Sequence, residues 1–310
     1  MKTYAFCSAV LAAMLPLGAC IGTGDWMDSA AYREDFHSSY ALNPGARVSV
    51  ESFNGSIEVV GWDQTSVEIN GTKTASSREA LGELKVDIHS SPDAVQIRAS
   101  QPDGFFRGGV RLSIRIPHKA LLDMVSSSNG RLDVEDVDGN ARLRTSNGGV
   151  RVLRYRGELR AETSNGPIDL EQTDGRMDVR TSNGAVRAEV TGGSLEAVTS
   201  NGSITARLTN PAADRPVRVT SSNGHIDLSV DGGRLPEVRA TTSNSSILLR
   251  LPASADAEVR AHTSHSPITS AFSSLHPSST RRSDLEGSIG RSGPLVELRT
   301  SNGAIRIEKL

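Results

Sequence analysis

The chain has 310 residues, enough for one large domain or two, and a formal charge of −2, which excludes a global basic excess for holding nucleic acid. Aromatic residues make up only 4%, so stacking on exposed rings is excluded as the main way of reading sugars or bases. The two cysteines, Cys7 and Cys20, both lie near the start, and no disulfide framework can be built from them.

Residues 1–19 read as an export signal: one early Lys, an apolar run from Ala5 to Leu17, then small residues. The run is too short to span a bilayer, and Pro16 and Gly18 would end a buried helix early. Leu17-Gly18-Ala19-Cys20 resembles the lipobox of bacterial lipoproteins, in which the Cys thiol receives a diacylglycerol and the signal is cut just before it. That resemblance implies lipidation at Cys20 and a membrane reached through the N-terminal lipid. Ile21, rather than Asp, after the cysteine points by the same analogy to the outer membrane. Cys7 would leave with the signal, so the exported chain has to be stable by its core alone. Residues 20–44 read as the lipidated N-terminus and a polar tether.

From 45 to 310 the pattern is that of repeated strands. Val48 and Val50 precede Phe53-Asn54-Gly55, and Ile57 and Val59 follow; between 72 and 118 the strands lengthen, as in Val110 to Ile116. From Gly130 to Gly202 a glycine recurs every nine residues. The residue before it alternates in kind, so the true period is eighteen, with one corner reading Thr-Ser-Asn-Gly and the other looser. Two residues after each glycine stands an apolar side chain (Leu132, Ala141, Val150, Leu159, Ile168), and two further on another (Val134, Leu143, Val152, Ala161, Leu170), with mostly charged residues between. This alternation predicts short strands with one face inward, closed by corners in which glycine supplies a positive φ. The predicted corners are Asn129-Gly130, Asn147-Gly148, Asn165-Gly166, Asn183-Gly184, Asn201-Gly202, Asn223-Gly224 and Asn302-Gly303. Ser replaces Gly at 245 and 266, and residues 270–286 read as an excursion loop.

A parallel β-solenoid with about eighteen residues per coil and an antiparallel meander or barrel both fit this clock. The number of strands favours the solenoid, because an open sheet rarely exceeds about 10 strands and no helices are available to cover it. About twelve coils are expected, with the corner asparagines stacked in a ladder.

The tandem Ser-Asn-Gly strands resemble the bacterial putative-adhesin β-strand-repeat family. The resemblance rests on Phe53 to Trp62, on the stretch from Ile116-Pro117 into Ser128-Asn129-Gly130, and on Leu285 to Leu310, and it spans roughly residues 40–310. It implies a solenoid, often attached as a lipoprotein, and no established substrate.

The sequence has no Gly-x-Ser-x-Gly elbow, His-Glu-x-x-His or phosphate-binding glycine loop. His262 and His265 need not converge if one is on a strand and the other at its corner, so no metal site is assigned. Arg142, Arg144, Arg151, Arg154, Arg160 and Arg180 form a basic group, but Asp133, Glu158, Glu162, Asp169 and Asp178 are interleaved with it. The expectation is a non-enzymatic cell-envelope lipoprotein, an adhesin or interaction module meeting an envelope protein or polysaccharide, with no cofactor. The alternative is an envelope polysaccharide-acting lyase or hydrolase.

Overall fold

The computed structural model describes residues 32–101, 108–275, 283–291 and 293–310. In it the alternating side chains of the repeat point into one continuous core, and every apolar repeat position from Leu132 to Ala206 is buried. The register is parallel with a step of eighteen: Val150 lies opposite Ile168, Ile168 opposite Val186, and Val186 opposite Ile204. The chain is therefore a β-solenoid, not a meander or barrel; antiparallel pairs occur only near its two ends.

Two faces enclose the core. Face I holds the strands that lead into the Asn corners. In spatial order these are β5 (Lys85–Ser91), β6 (Ala94–Ser100), β2 (Arg47–Ser52), β8 (Leu121–Ser127) and β10 (Ala141–Thr145). Next come the second halves of β11 (Val150–Thr163), β12 (Ile168–Thr181) and β13 (Val186–Thr199). Then follow β15 (Val217–Ser221), β17 (Val238–Thr241), β22 (Leu295–Thr300), β19 (Ala257–Thr263) and β21 (Asp284–Ile289).

Face II holds the strands that leave those corners. It begins with β1 (Tyr32–Ala41), β4 (Ser66–Ala75), β7 (Gly108–Pro117), β3 (Ile57–Trp62) and β9 (Leu132–Glu135). It continues through the first halves of β11, β12 and β13. It ends with β14 (Ile204–Thr209), β16 (Ile226–Asp231), β18 (Ile247–Leu251), β23 (Ile305–Lys309) and β20 (Ile268–Ser270).

Three features differ from the sequence expectation. In the most regular region each coil contains one 14-residue strand bent at the looser corner, rather than two separate short ones. The stack has eleven coils, from β6/β7 at one end to β19/β20 at the other, rather than about twelve. They are also not stacked in chain order. The first coil, β2/β3, sits between β6/β7 and β8/β9, and the last, β22/β23, sits between β17/β18 and β19/β20. Both outermost positions in the sequence are thus clamped one coil inside the stack.

The ends are covered by elements that break the repeat. At one end β1, β4 and β5 run antiparallel, and the short helix α1 (Arg78–Glu83), capped by Ser77, packs Ala80 near Ala75 and Leu84. Residues 32–41, expected as tether, belong to this cap as strand β1, whose polar side chains suit an exposed edge. At the other end Phe272 and Leu275 close the core and β21 covers β19. Residues 284–286 of the expected excursion loop are therefore strand, and residues 276–282 lie outside the described residues.

Candidate functional site

The lipidation site read at Cys20 lies outside the described residues. The predicted corner residues are all described, and they align along one edge of the rod. Each Asn donates from Nδ2 to the Oδ1 of the Asn one coil back: 147 to 129, 165 to 147, 183 to 165 and 223 to 201, all at 2.7 Å. Asn201 reaches Asn183 at 2.8 Å, Asn244 reaches Asn223 at 2.7 Å, and Asn302 reaches Asn244 at 2.8 Å across 58 residues of sequence. The ladder thus runs on through the displaced last coil. Its amides are exposed, and bonded amides of this kind stack as in other cross-β ladders.

A second, buried ladder lies beneath. Thr163 donates to the carbonyl of Gly148 at 2.8 Å, and its oxygen accepts the amide of Gly166 at 3.2 Å. Thr145, Thr181 and Thr199 repeat the arrangement, with Ser127 and Ser221 as shorter equivalents. The buried hydroxyls of these corners thus each donate to one backbone group and accept from another, as buried polar groups require. At Ser245, which replaces Gly, the corner keeps the bonds of Thr242 to the Gly224 carbonyl and of Asn244 to Asn223.

The glycines of these corners are not in the left-handed region; the positive φ expected at Gly166 is absent. They are glycine for another reason. A Cβ on Gly166 would lie 1.9 Å from the carbonyl oxygen of Gly148, and one on Gly148 would lie 1.9 Å from that of Gly130. Close stacking of backbone on backbone, not torsion, excludes a side chain.

The looser corner obeys a different rule. Asp136, Arg154 and Gln172, one coil apart, have φ of 57°, 48° and 53°, and Gly139, Gly157 and Gly175 have φ of 149°, 137° and 117°. Behind this corner Tyr155 is buried, and its hydroxyl meets the carbonyls of Gly139 and Glu158. Burial, with Glu158 and Asp138 nearby, pushes its pKa well above that of an ordinary phenol.

The basic group read from sequence is split. Arg142, Arg144, Arg160 and Arg180 lie on face I, whereas Arg151 lies on face II and Arg154 at the loose corner. Most of these arginines meet an acid on their own strand or the next: Arg160 with Glu162 at 2.6 Å, Arg180 with Glu196 at 2.8 Å, Arg151 with Glu171 at 3.3 Å. His262 pairs with Asp284 at 2.6 Å, while His265 faces the Ser301 carbonyl at 3.3 Å, so the two imidazoles have separate partners. Among the described residues no group of three or more metal-ligand side chains forms, and no helix is long and apolar enough to cross a membrane.

A bulge on face I was not legible in the sequence. Strand β8 slips by one residue against both neighbours around Asp123, and a hollow of about 350 Å³ opens there between Leu121, Arg142 and Arg176. The signal was only an eighteen-residue clock running one residue late.

Residues 47–308 match the model of the family described as Toastrack DUF4097. The chain belongs to that family. Membership accounts for the parallel stack and the repeated corners, and agrees with the resemblance to putative adhesins. Among solved structures, this Toastrack chain is similar to a putative adhesin from Bacteroides fragilis, with 13% identity, 89% of this chain and 97% of that chain covered, and a TM-score of 0.38. It is similar to a putative adhesin from Parabacteroides distasonis at 9% identity, with coverage of 89% and 97% and a TM-score of 0.33. A protein from the same organism described as a putative lipid binding protein is similar at 12% identity, with coverage of 89% and 96% and a TM-score of 0.36. No curated protein matches the chain.

Proposed function

We propose that this Toastrack protein is a non-enzymatic cell-envelope lipoprotein, held to the outer membrane through a lipid on Cys20, whose rod is an interaction module. The observation that carries the reading is the pairing of charges along both faces. Arg187 reaches Asp169, Arg239 reaches Glu297 and Arg250 reaches Asp227 across neighbouring strands, which leaves surfaces suited to contact rather than a set of groups converging on one reacting atom. The lipobox-like ending at Cys20 supports the anchor. A triacylated N-terminus exceeds the two signals that stable membrane attachment needs.

Acyl-chain mass spectrometry of the mature N-terminus tests the anchor: lipid on Cys20 is expected, its loss in Cys20→Ser, and an unmodified Cys20 in the wild type overturns it. Crosslinked pull-down from native membranes tests the module and should capture an envelope component. Screening against envelope polysaccharides should show no release of reducing ends. Turnover abolished by one acidic substitution would make the protein an enzyme.

A further inference from the structure

Beside the bulge of β8 on face I the surface is hollow, and two unpaired guanidinium groups line it. Val48 lies opposite Leu122 but Ser49 opposite Met124, and Ala141 lies opposite Leu122 while Leu143 lies opposite Val125. Asp123 is thus the extra residue of a bulge, a device that commonly re-aims side chains beside a functional surface. The hollow of about 350 Å³ toward β12 and another of about 420 Å³ toward β5 share Arg47 and Asp123 as lining residues. Together they make one trough along the rod. It crosses seven strands of face I, a length on the order of 30 Å at about 4.8 Å per strand.

Two guanidinium groups in the trough lack the acidic partner that most arginines of the face have. Arg47 and Arg176 are exposed and have no ion-pair partner among the described residues. The nearest carboxylate to Arg142 is Asp123, at 3.7 Å. Between Arg47 and Asn140 sits Leu121, 39% exposed in a row of charged and polar residues. Beyond β12 several arginines of the same face are in direct pairs: Arg180 with Glu196, Arg239 and Arg299 with Glu297, Arg260 with Glu258.

This pattern defines a ligand chemistry. Arg47 and Arg176 stand four strand steps apart, with Glu158 between them and Asp123 and Asp178 alongside. A nucleic acid would present bases to stack, and among the described residues no Phe, Tyr or Trp lines either hollow. A peptide would look for a free sheet edge or an apolar pocket, and both unpaired arginines lie on strands paired on either side. A chain of sugars carrying carboxylates fits each part: guanidinium forks take carboxylates in a bidentate manner, Asp123 accepts from hydroxyls, and Leu121 offers area to ring C–H groups. No stacked aromatic is needed for this mode of reading.

We propose that the trough binds a linear glycan carrying carboxylates at intervals among its hydroxyls. This rests on the reading of the rod as an interaction module and names the partner class. The test measures binding of the full chain to immobilised oligogalacturonate, oligomannuronate and oligoglucuronate, each beside its carboxyl-reduced form. At least one uronate should bind about tenfold or more tighter than its reduced counterpart. Arg47→Gln with Arg176→Gln should remove that preference, while Arg239→Gln with Arg260→Gln, farther along the same face, should keep it. Unchanged thermal unfolding in both double variants shows that the rod is intact. Equal binding of the reduced forms, no binding to any uronate, or the same loss in both double variants overturns the proposal. If it falls while crosslinking still captures an envelope protein, the interaction module stands and only its glycan partner is wrong.

Discussion

The two corners of the coil look alike in the sequence, since both place a glycine every eighteen residues, yet glycine is there for different reasons. At the Ser-Asn-Gly corner the torsion is ordinary, and the neighbouring carbonyl oxygen, 1.9 Å from a Cβ on Gly166, forbids a side chain. At the looser corner Gly157 has both a φ of 137° and a carbonyl oxygen 2.0 Å from its missing Cβ. Gly45 separates the two causes, because its φ is 86° and nothing lies within 4 Å. A glycine clock therefore reports close stacking at least as much as turn geometry.

The largest effect expected from this comparison is on contact. Gly166→Ala and Gly157→Ala should each cost about 3–4 kcal/mol in denaturant unfolding, because backbone, not a flexible side chain, has to move. For Gly166→Ala, hydrogen exchange should show lost protection centred on the neighbouring coils, roughly residues 147–184, since each coil contacts only its neighbours. Uniform loss along the rod would mean that the stack is globally cooperative.

Next comes the buried hydroxyl ladder. Thr181→Val leaves the Gly166 carbonyl and the Gly184 amide without partners, and should cost about 2–3 kcal/mol. Thr181→Ser should cost less than about 1 kcal/mol, as Ser127 and Ser221 already fill this role. A valine as well tolerated as serine would remove the hydroxyl from the account of the corner.

Torsion alone should cost less. Gly45→Ala is expected to destabilise by about 1–2 kcal/mol, the penalty of a left-handed L-residue with space around it. A loss as large as that of Gly166→Ala would erase the distinction between contact and torsion.

The smallest effect concerns charge at the loose corner. The hydrogen bond from Arg154 holds the Asp136 carboxyl below the usual carboxylate range, against a desolvation that raises it. A folded pKa below the unfolded one means that this contribution is present at neutral pH and is lost as pH falls through the folded value. An NMR titration should show Asp136 ionising at lower pH than an ordinary Asp, and Arg154→Gln should move it upward. Arg154 is exposed and Asp136 half-buried, so the change in stability should be small.

Much of this was legible before any coordinates. The in–out alternation from Leu132 to Ala206 placed the core correctly, because a strand period of two admits only two faces and one of them is charged. The Asn-Gly spacing placed the ladder. The bulge at Asp123 was not legible: a register slip depends on both neighbouring strands at once, and neither β2 nor β10 is next to β8 in the chain. Residues 32–41 form a strand where the sequence predicts a tether, because a polar edge strand has the composition of a linker.

The sequence by itself determined which residues face inward, where the chain turns, and that the strands of successive repeats lie eighteen residues apart, since each follows from local alternation and backbone sterics. Only the tertiary structure decided which coil stacks on which. All coils present the same inward pattern and the same backbone groups, so the pattern cannot choose a neighbour. In the assembled stack β2/β3 and β22/β23 are each set one coil inside, and the coils outside them, β6/β7 and β19/β20, are the ones that pair with antiparallel strands. The trough arises the same way, from a strand held out of step between two partners that the sequence does not bring together.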